Sequence, residues 1–221
     1  MPKVFGESTI KRVTIVEDDP SNRKSLAEIV ADAKFVPVPE DGPLCDLKSF
    51  TRGAMRNTDA FIFDHHLKQS QYAPFDGAEA VASLYKKSPS LLCTTWGKAY
   101  IDAIRVYRRK IPILIRTDDL NPDTIAIGFE YCIREFESDF SPSRRPWRTL
   151  VRVEDVDEQL RPPMFYVVLP GWYSSDKISL PLYLIPSGLR QNIKQGVRFH
   201  AQVNKGAENQ EDLYFDNFEF D

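Results

Sequence analysis

Five short apolar runs, each followed by a stretch able to form a helix, constrain this chain more than any other feature. They lie at Val13 to Val16, Phe35 to Val38, Ala60 to Phe63, Leu91 to Cys93 and Ile111 to Ile115. Runs of this length, rich in Val, Ile and Phe and bounded by polar residues, suit strands buried on both faces. The segments between and after them predict helices at Ser21 to Ala33, Leu44 to Met55, Asp76 to Lys87, Lys98 to Arg109 and Pro122 to Phe136. Pro20 and Pro122 stand near helix starts, where a missing N–H costs nothing, and Asp76 suits an N-cap. Strands alternating with helices imply a parallel sheet covered on both sides.

The pattern changes after Ser138 to Trp147 (SDFSPSRRPW), a polar stretch with two prolines that reads as a linker. Beyond it the apolar runs are short and separated by turn residues: Val151 to Val153, Phe165 to Leu169, Ile178 to Ile185, Val197 to Val203 and Leu213 to Phe220. Such spacing predicts a small antiparallel barrel or sandwich. The expected domains are therefore residues 1–138, an α/β domain, and 148–221, a small all-β domain. With 221 residues and 42% hydrophobic content, both can build cores.

A parallel sheet of this kind binds ligands at the carboxyl ends of its strands, in the crevice where strand order reverses. Two of those ends are acidic: Glu17-Asp18-Asp19 follows the first strand and Asp64 ends the third. A 2-1-3-4-5 strand order brings these carboxylates together, where a hard divalent cation is the usual way to neutralise them. The strings VTIVEDDPSNR, DAFIFDHHL and FDGAEAV, taken together, resemble the receiver domain of two-component response regulators, over roughly residues 11 to 137. The resemblance implies a flavodoxin-like (βα)5 doubly wound sheet. It further implies Mg2+ held by Glu17, Asp18, Asp64 and the backbone carbonyl of His66, and a phosphoryl group accepted by Asp64 from a histidine kinase or another phosphodonor. The family's Thr or Ser at the end of the fourth strand matches Thr94 or Thr95. Its Lys at the end of the fifth matches Arg116, followed by Thr117 where the family has proline. The loop from Asp64 to Asp76-Gly77 is several residues longer than is usual in the family.

Two other readings use the same residues. In a phosphorylation-independent pseudo-receiver, the pocket is scaffold and Arg116 forms a standing ion pair with Asp64, leaving a protein interaction module. Alternatively, Asp64-His65-His66 matches the signature of DHH metal phosphoesterases, but that family needs further Asp and His motifs, and His200 is the one histidine left, far away in the β-rich half. The bland reading of the two histidines is a surface loop. Glu17 and Asp18 have a bland reading as charges complementing a helix dipole, and Asp64 as a turn former.

The second half offers no catalytic constellation, so a signalling protein rather than an enzyme is expected. Its aromatics predict core, with Trp172-Tyr173 as an exposed loop contact, and His200 on the solvent face of a strand. An OB-like barrel stacks single-stranded nucleic acid on such aromatics only beside a positive groove. Net charge is −3, and Arg144, Arg145 and Arg148 form the basic cluster nearest to hand, read as a solvated linker, so nucleic acid stays an open question. A protein partner of the β-rich half, and a second copy in a homodimer, complete the expected partner classes. Three widely spaced cysteines, Cys45, Cys93 and Cys132, read as reduced core thiols. With no apolar run near 20 residues and no apolar leader, a cytoplasmic protein without membrane contact is expected.

Overall fold

A computed structural model describes residues 3–5, 8–95, 103–172 and 177–220. The chain divides into two compact units, Met1–Trp96 with Lys110–Asp139, and Gly97–Arg109 with Phe140–Asp221. This differs from a simple break after residue 138, because Gly97–Arg109 groups with the second unit.

The first unit opens on an antiparallel hairpin, β1 (Lys3–Phe5) with β2 (Ser8–Ile10), too short to announce itself in sequence. Five parallel strands follow: β3 (Arg12–Val16), β4 (Val36–Pro39), β5 (Ala60–Asp64), β6 (Ser90–Thr94) and β7 (Ile113–Arg116), in the order β4-β3-β5-β6-β7. They alternate with α1 (Pro20–Asp32), α2 (Leu47–Ala54), α3 (Gly77–Leu84) and α4 (Pro122–Phe136). Period-two alternation sends Val13 and Ile15 to the face packed against Leu26 and Val30 of α1 and Ile125 and Phe129 of α4. The opposite face carries Phe61 and Phe63, with Phe50 of α2 against Phe63 and Phe75. The sheet is thus doubly covered and flavodoxin-like, as expected.

Local chemistry sets the helix starts. Asp19 caps α1 by accepting from the amides of Ser21 and Asn22, both at 2.8 Å, with Pro20 in the first turn. Asn121 and Thr124 form a reciprocal capping box on α4. The expected helix at Lys98 to Arg109 lies partly outside the described residues; 103–105 are helical and Arg108–Lys110 form a 3-10 turn.

The second unit is one curled half-barrel of five antiparallel strands, ordered β10-β9-β8-β11-β12. These are β8 (Trp147–Asp157), β9 (Met164–Val168), β10 (Ile178–Pro181), β11 (Arg198–Val203) and β12 (Phe215–Glu219). Val151, Phe165, Leu180, Phe199 and Phe215 point into its core. The presumed linker is structured: Arg144 is buried and donates to the carbonyls of Arg108 (3.0 Å) and Arg109 (2.9 Å), with its guanidinium over the Tyr214 ring. Nor is Trp172 an exposed contact. It is buried, and its indole N–H donates to the Ala207 carbonyl at 2.8 Å; Tyr173 lies outside the described residues. Cys93 and Cys132 are buried thiols as expected, whereas Cys45 is exposed. No described helix is long and apolar enough to cross a membrane.

Candidate functional site

Glu17 and Asp18 leave the carboxyl end of β3, and Asp64 is the last residue of its neighbour β5. Because β3 connects through α1 to β4 on one side and β4 leads to β5 on the other, strand order reverses here, and the crevice opens at this end of the sheet. Ligand oxygens of Glu17, Asp18 and Asp64 all lie within 4.8 Å of one another, the one such group of His, Cys, Asp and Glu among the described residues. The side-chain cap of α1 comes from Asp19 rather than from Glu17 or Asp18.

Burial works against the charged forms of this cluster. Burial, then the neighbouring Asp64, push the Glu17 carboxyl up to about 8. Burial also raises Asp64, opposed by the amide of His66, which donates to Asp64 Oδ2 at 2.6 Å. That bond makes Asp64 a turn former as well as a site residue. Among the described residues, no ion pair is seen at any of the three carboxylates. Clustered, half-buried oxygen donors fit a hard divalent cation such as Mg2+.

The other expected residues sit around this cluster at unequal range. Thr94 ends β6, next to β5, and its buried hydroxyl donates to the Thr95 carbonyl at 3.1 Å. Thr95 is exposed one residue beyond the strand. Arg116 ends β7 in register with Thr94 and is exposed, two strands from Asp64 or about 10 Å across the sheet. His66 is tied to Asp64 through its amide. His65 is buried rather than on a surface loop, and burial holds its imidazole down at about 4, hence neutral at pH 7. Neither ring belongs to the carboxylate group, contrary to what a DHH-type site requires.

The turn after Asp64 is built for close approach. A Cβ on Gly77 would lie 2.0 Å from the Asp64 carbonyl oxygen, and the Gly77 amide donates to the His65 carbonyl at 3.1 Å. The long loop that follows β5 folds back over the β4 end of the crevice. There the Tyr72 hydroxyl donates to the Glu40 carbonyl at 2.6 Å and the Leu44 amide donates to the Tyr72 carbonyl at 2.7 Å. Sequence reasoning missed Arg23, which joins this loop to the acidic turn; its only signal was a place in the string VTIVEDDPSNR.

A parallel sheet in 2-1-3-4-5 order, with three carboxylates converging at its switch point, decides the fold. The first unit has the flavodoxin-like doubly wound fold.

Comparison with solved structures finds receiver-domain proteins at low sequence identity. The chemotaxis response regulator CheY4 of Vibrio cholerae is 20% identical, with 56% of this chain and 99% of that chain covered at a TM-score of 0.38. For the BeF3-activated receiver domain of Klebsiella pneumoniae RstA the values are 16%, 55%, 98% and 0.42. For the signal receiver domain of an HD domain-containing protein from Pseudomonas fluorescens Pf-5 they are 14%, 62%, 96% and 0.44. No protein-family model and no curated protein matches the chain.

Proposed function

We propose that this chain is a response-regulator-like signalling protein in which Asp64 accepts a phosphoryl group in a Mg2+-dependent reaction and the β-rich unit relays the change to a protein partner. The observation that carries the reading is the convergence of Glu17, Asp18 and Asp64 within 4.8 Å at the switch point of the sheet. Glu17, Asp18, Asp64 and the His66 carbonyl would hold the cation, which supplies neutralisation of the carboxylates and of the incoming phosphoryl oxygens.

An Asp64 carboxylate oxygen forms the new O–P bond while the donor's P–N or P–O bond breaks; a departing histidine nitrogen keeps the electron pair and takes up a proton, whereas an acyl phosphate's oxygen leaves with it as a carboxylate. The His66 amide orients the attacking carboxylate through Oδ2. In the phosphorylated state the Thr94 hydroxyl gives up its bond to the Thr95 carbonyl and donates to a phosphoryl oxygen. Arg116 answers the added negative charge; its planar fork replaces a compact ammonium, which changes geometry more than charge. The donor class is a histidine kinase or a small acyl phosphate. On this reading the chain is a switch rather than an enzyme with turnover of its own.

The test is thermal unfolding with beryllofluoride, a phosphoryl mimic, with and without Mg2+, in wild type and Asp64→Asn. Stabilisation that needs both Asp64 and Mg2+ is expected, about 2.7 kcal/mol at a hundredfold excess over Kd. Equal binding in Asp64→Asn would sink the proposal. Absence of any response in wild type would leave the first unit as a phosphate-independent interaction module.

A further inference from the structure

The side chain of Arg23, one turn into α1, is 12% exposed and is spent almost wholly on the acidic turn and what lies beside it. Nη1 donates to the Glu17 carbonyl at 2.6 Å and lies 3.4 Å from the Asp18 carbonyl. Nη2 donates to Asp41 Oδ1 at 2.9 Å, in the loop after β4. The guanidinium carbon sits 5.9 Å from the centre of the Tyr72 ring, on the long loop after β5. The Arg23 amide closes the circuit by donating to the Asp19 carbonyl at 2.9 Å, so the two ends of the turn are held by one residue.

Two features of this arrangement are informative. First, the guanidinium binds the backbone of Glu17 and Asp18 and makes no ion pair with their carboxylates, which stay available to a cation. Second, a fixed positive charge beside a cation site opposes metal binding by simple Coulomb repulsion. A residue that places this repulsive charge at the site earns its position through geometry. Bidentate reach from two carbonyls to a carboxylate needs a planar fork, which the single ammonium of a lysine does not reproduce.

We infer that Arg23 is a positioning residue for the cation site: by clamping the Glu17 and Asp18 carbonyls to Asp41 and Tyr72, it fixes the turn that aims both carboxylates at Asp64. The inference rests on the Mg2+ site of the proposed function and names a residue that this reading does not include.

Its sign separates it from electrostatics. Removing a positive charge alone tightens Mg2+ binding, whereas releasing the turn weakens it. Titration calorimetry of the full chain with MgCl2 at constant ionic strength is expected to show Kd raised about tenfold in Arg23→Gln. A similar rise is expected in Arg23→Lys, which keeps the charge and loses the fork, in line with the loss of one or two charge-assisted hydrogen bonds. Asp41→Asn, which removes the charge of the outer anchor, is expected to raise Kd about threefold. In metal-free protein, hydrogen exchange of the Asp19 amide, which donates to Glu17 Oε1 at 3.1 Å, should speed up in both Arg23 variants. Unchanged or tighter binding in Arg23→Gln overturns the inference while leaving the Mg2+ site standing. Wild-type protein that binds no Mg2+ overturns both. If Arg23→Gln does not fold, Arg23→Lys and Asp41→Asn decide: wild-type affinity in both overturns the inference.

Discussion

Both units carry a cluster of inward-facing polar groups, and the two clusters are solved in opposite ways. In the second unit the fully buried Asn204 spends its amide on the Ser143 and Asp212 carbonyls, at 2.8 and 3.0 Å, and its oxygen on the Tyr214 amide at 2.7 Å. The Tyr214 hydroxyl donates to the Arg144 carbonyl at 2.7 Å, and Arg108 pairs with Asp212 at 3.2 Å. These bonds tie together segments that belong to no common strand. In the first unit Glu17, Asp18 and Asp64 are gathered with no ion pair to them among the described residues, and burial raises the Glu17 and Asp64 carboxyls. The difference teaches how to tell scaffold from site: polar groups that only hold a fold are satisfied inside it, whereas groups kept for a ligand are left wanting one.

The comparison breaks first at Asn204. Asn204→Ala removes three hydrogen bonds and leaves buried backbone partners unsatisfied, so urea unfolding should show a loss of about 4 kcal/mol. A loss under about 1 kcal/mol would mean that the second unit is not held by this network. Neutralising a carboxylate in the first unit should act in the opposite direction.

Glu17 supplies that opposite case through pH. Its folded-state pKa, about 8, lies above its ordinary value of 4.5, so the folded protein binds more protons than the unfolded chain between those limits. Stability contributed by this group is therefore complete below about pH 4.5 and is lost as pH rises through 8. Metal-free wild type should lose about 3 kcal/mol from this group between pH 5 and pH 8. Glu17→Gln should flatten that slope, and Mg2+ should do so in wild type. A slope unchanged in the variant would show that burial does not penalise the charge at this end of the sheet.

Gly77 sharpens the comparison from the backbone side. Its missing side chain lets α3 start against the Asp64 carbonyl, so Gly77→Ala forces one of the two to move, at a cost of about 2 kcal/mol. Because the displaced atom belongs to a site residue, Mg2+ affinity should fall along with stability. Loss of stability with unchanged affinity would assign Gly77 to packing alone.

How much of this could be read from residues alone differs between the units for a physical reason. Buried parallel strands are near-continuous apolar runs, so β3, β5 and β6 were legible, and α4 runs from Pro122 to Phe136, with the proline at its start as expected. In the second unit β8 spans Trp147–Asp157, although only Val151 to Val153 stood out, because its outer face is charged and a bulge between Val153 and Asp155 breaks the alternation. Strand β10 stops at Pro181, where the apolar run continues into a 3-10 turn at Leu182–Leu184. The three carboxylates were legible because they follow strand ends. Arg23, Tyr72 and the burial of Arg144 were not, since each depends on carbonyls from distant loops, and a carbonyl has no sequence signature.

The smallest effect tests where the site ends. Tyr72 is buried with its hydroxyl on the Glu40 carbonyl, and burial holds that hydroxyl up at about 12, so it stays protonated and donates throughout the working range. Tyr72→Phe keeps the ring against Gly42, whose Cβ position it fills, and beside the Arg23 guanidinium, and removes one neutral hydrogen bond. The expected loss is about 1 kcal/mol in urea unfolding. Mg2+ affinity should stay within twofold, because the lost bond anchors the loop after β5 to the end of β4 and does not touch the acidic turn. A larger fall in affinity would make the satisfied contacts of this loop part of the site. Wild-type affinity with the expected stability loss would place the boundary at Arg23, where bonds that hold the fold meet carboxylates that await a ligand.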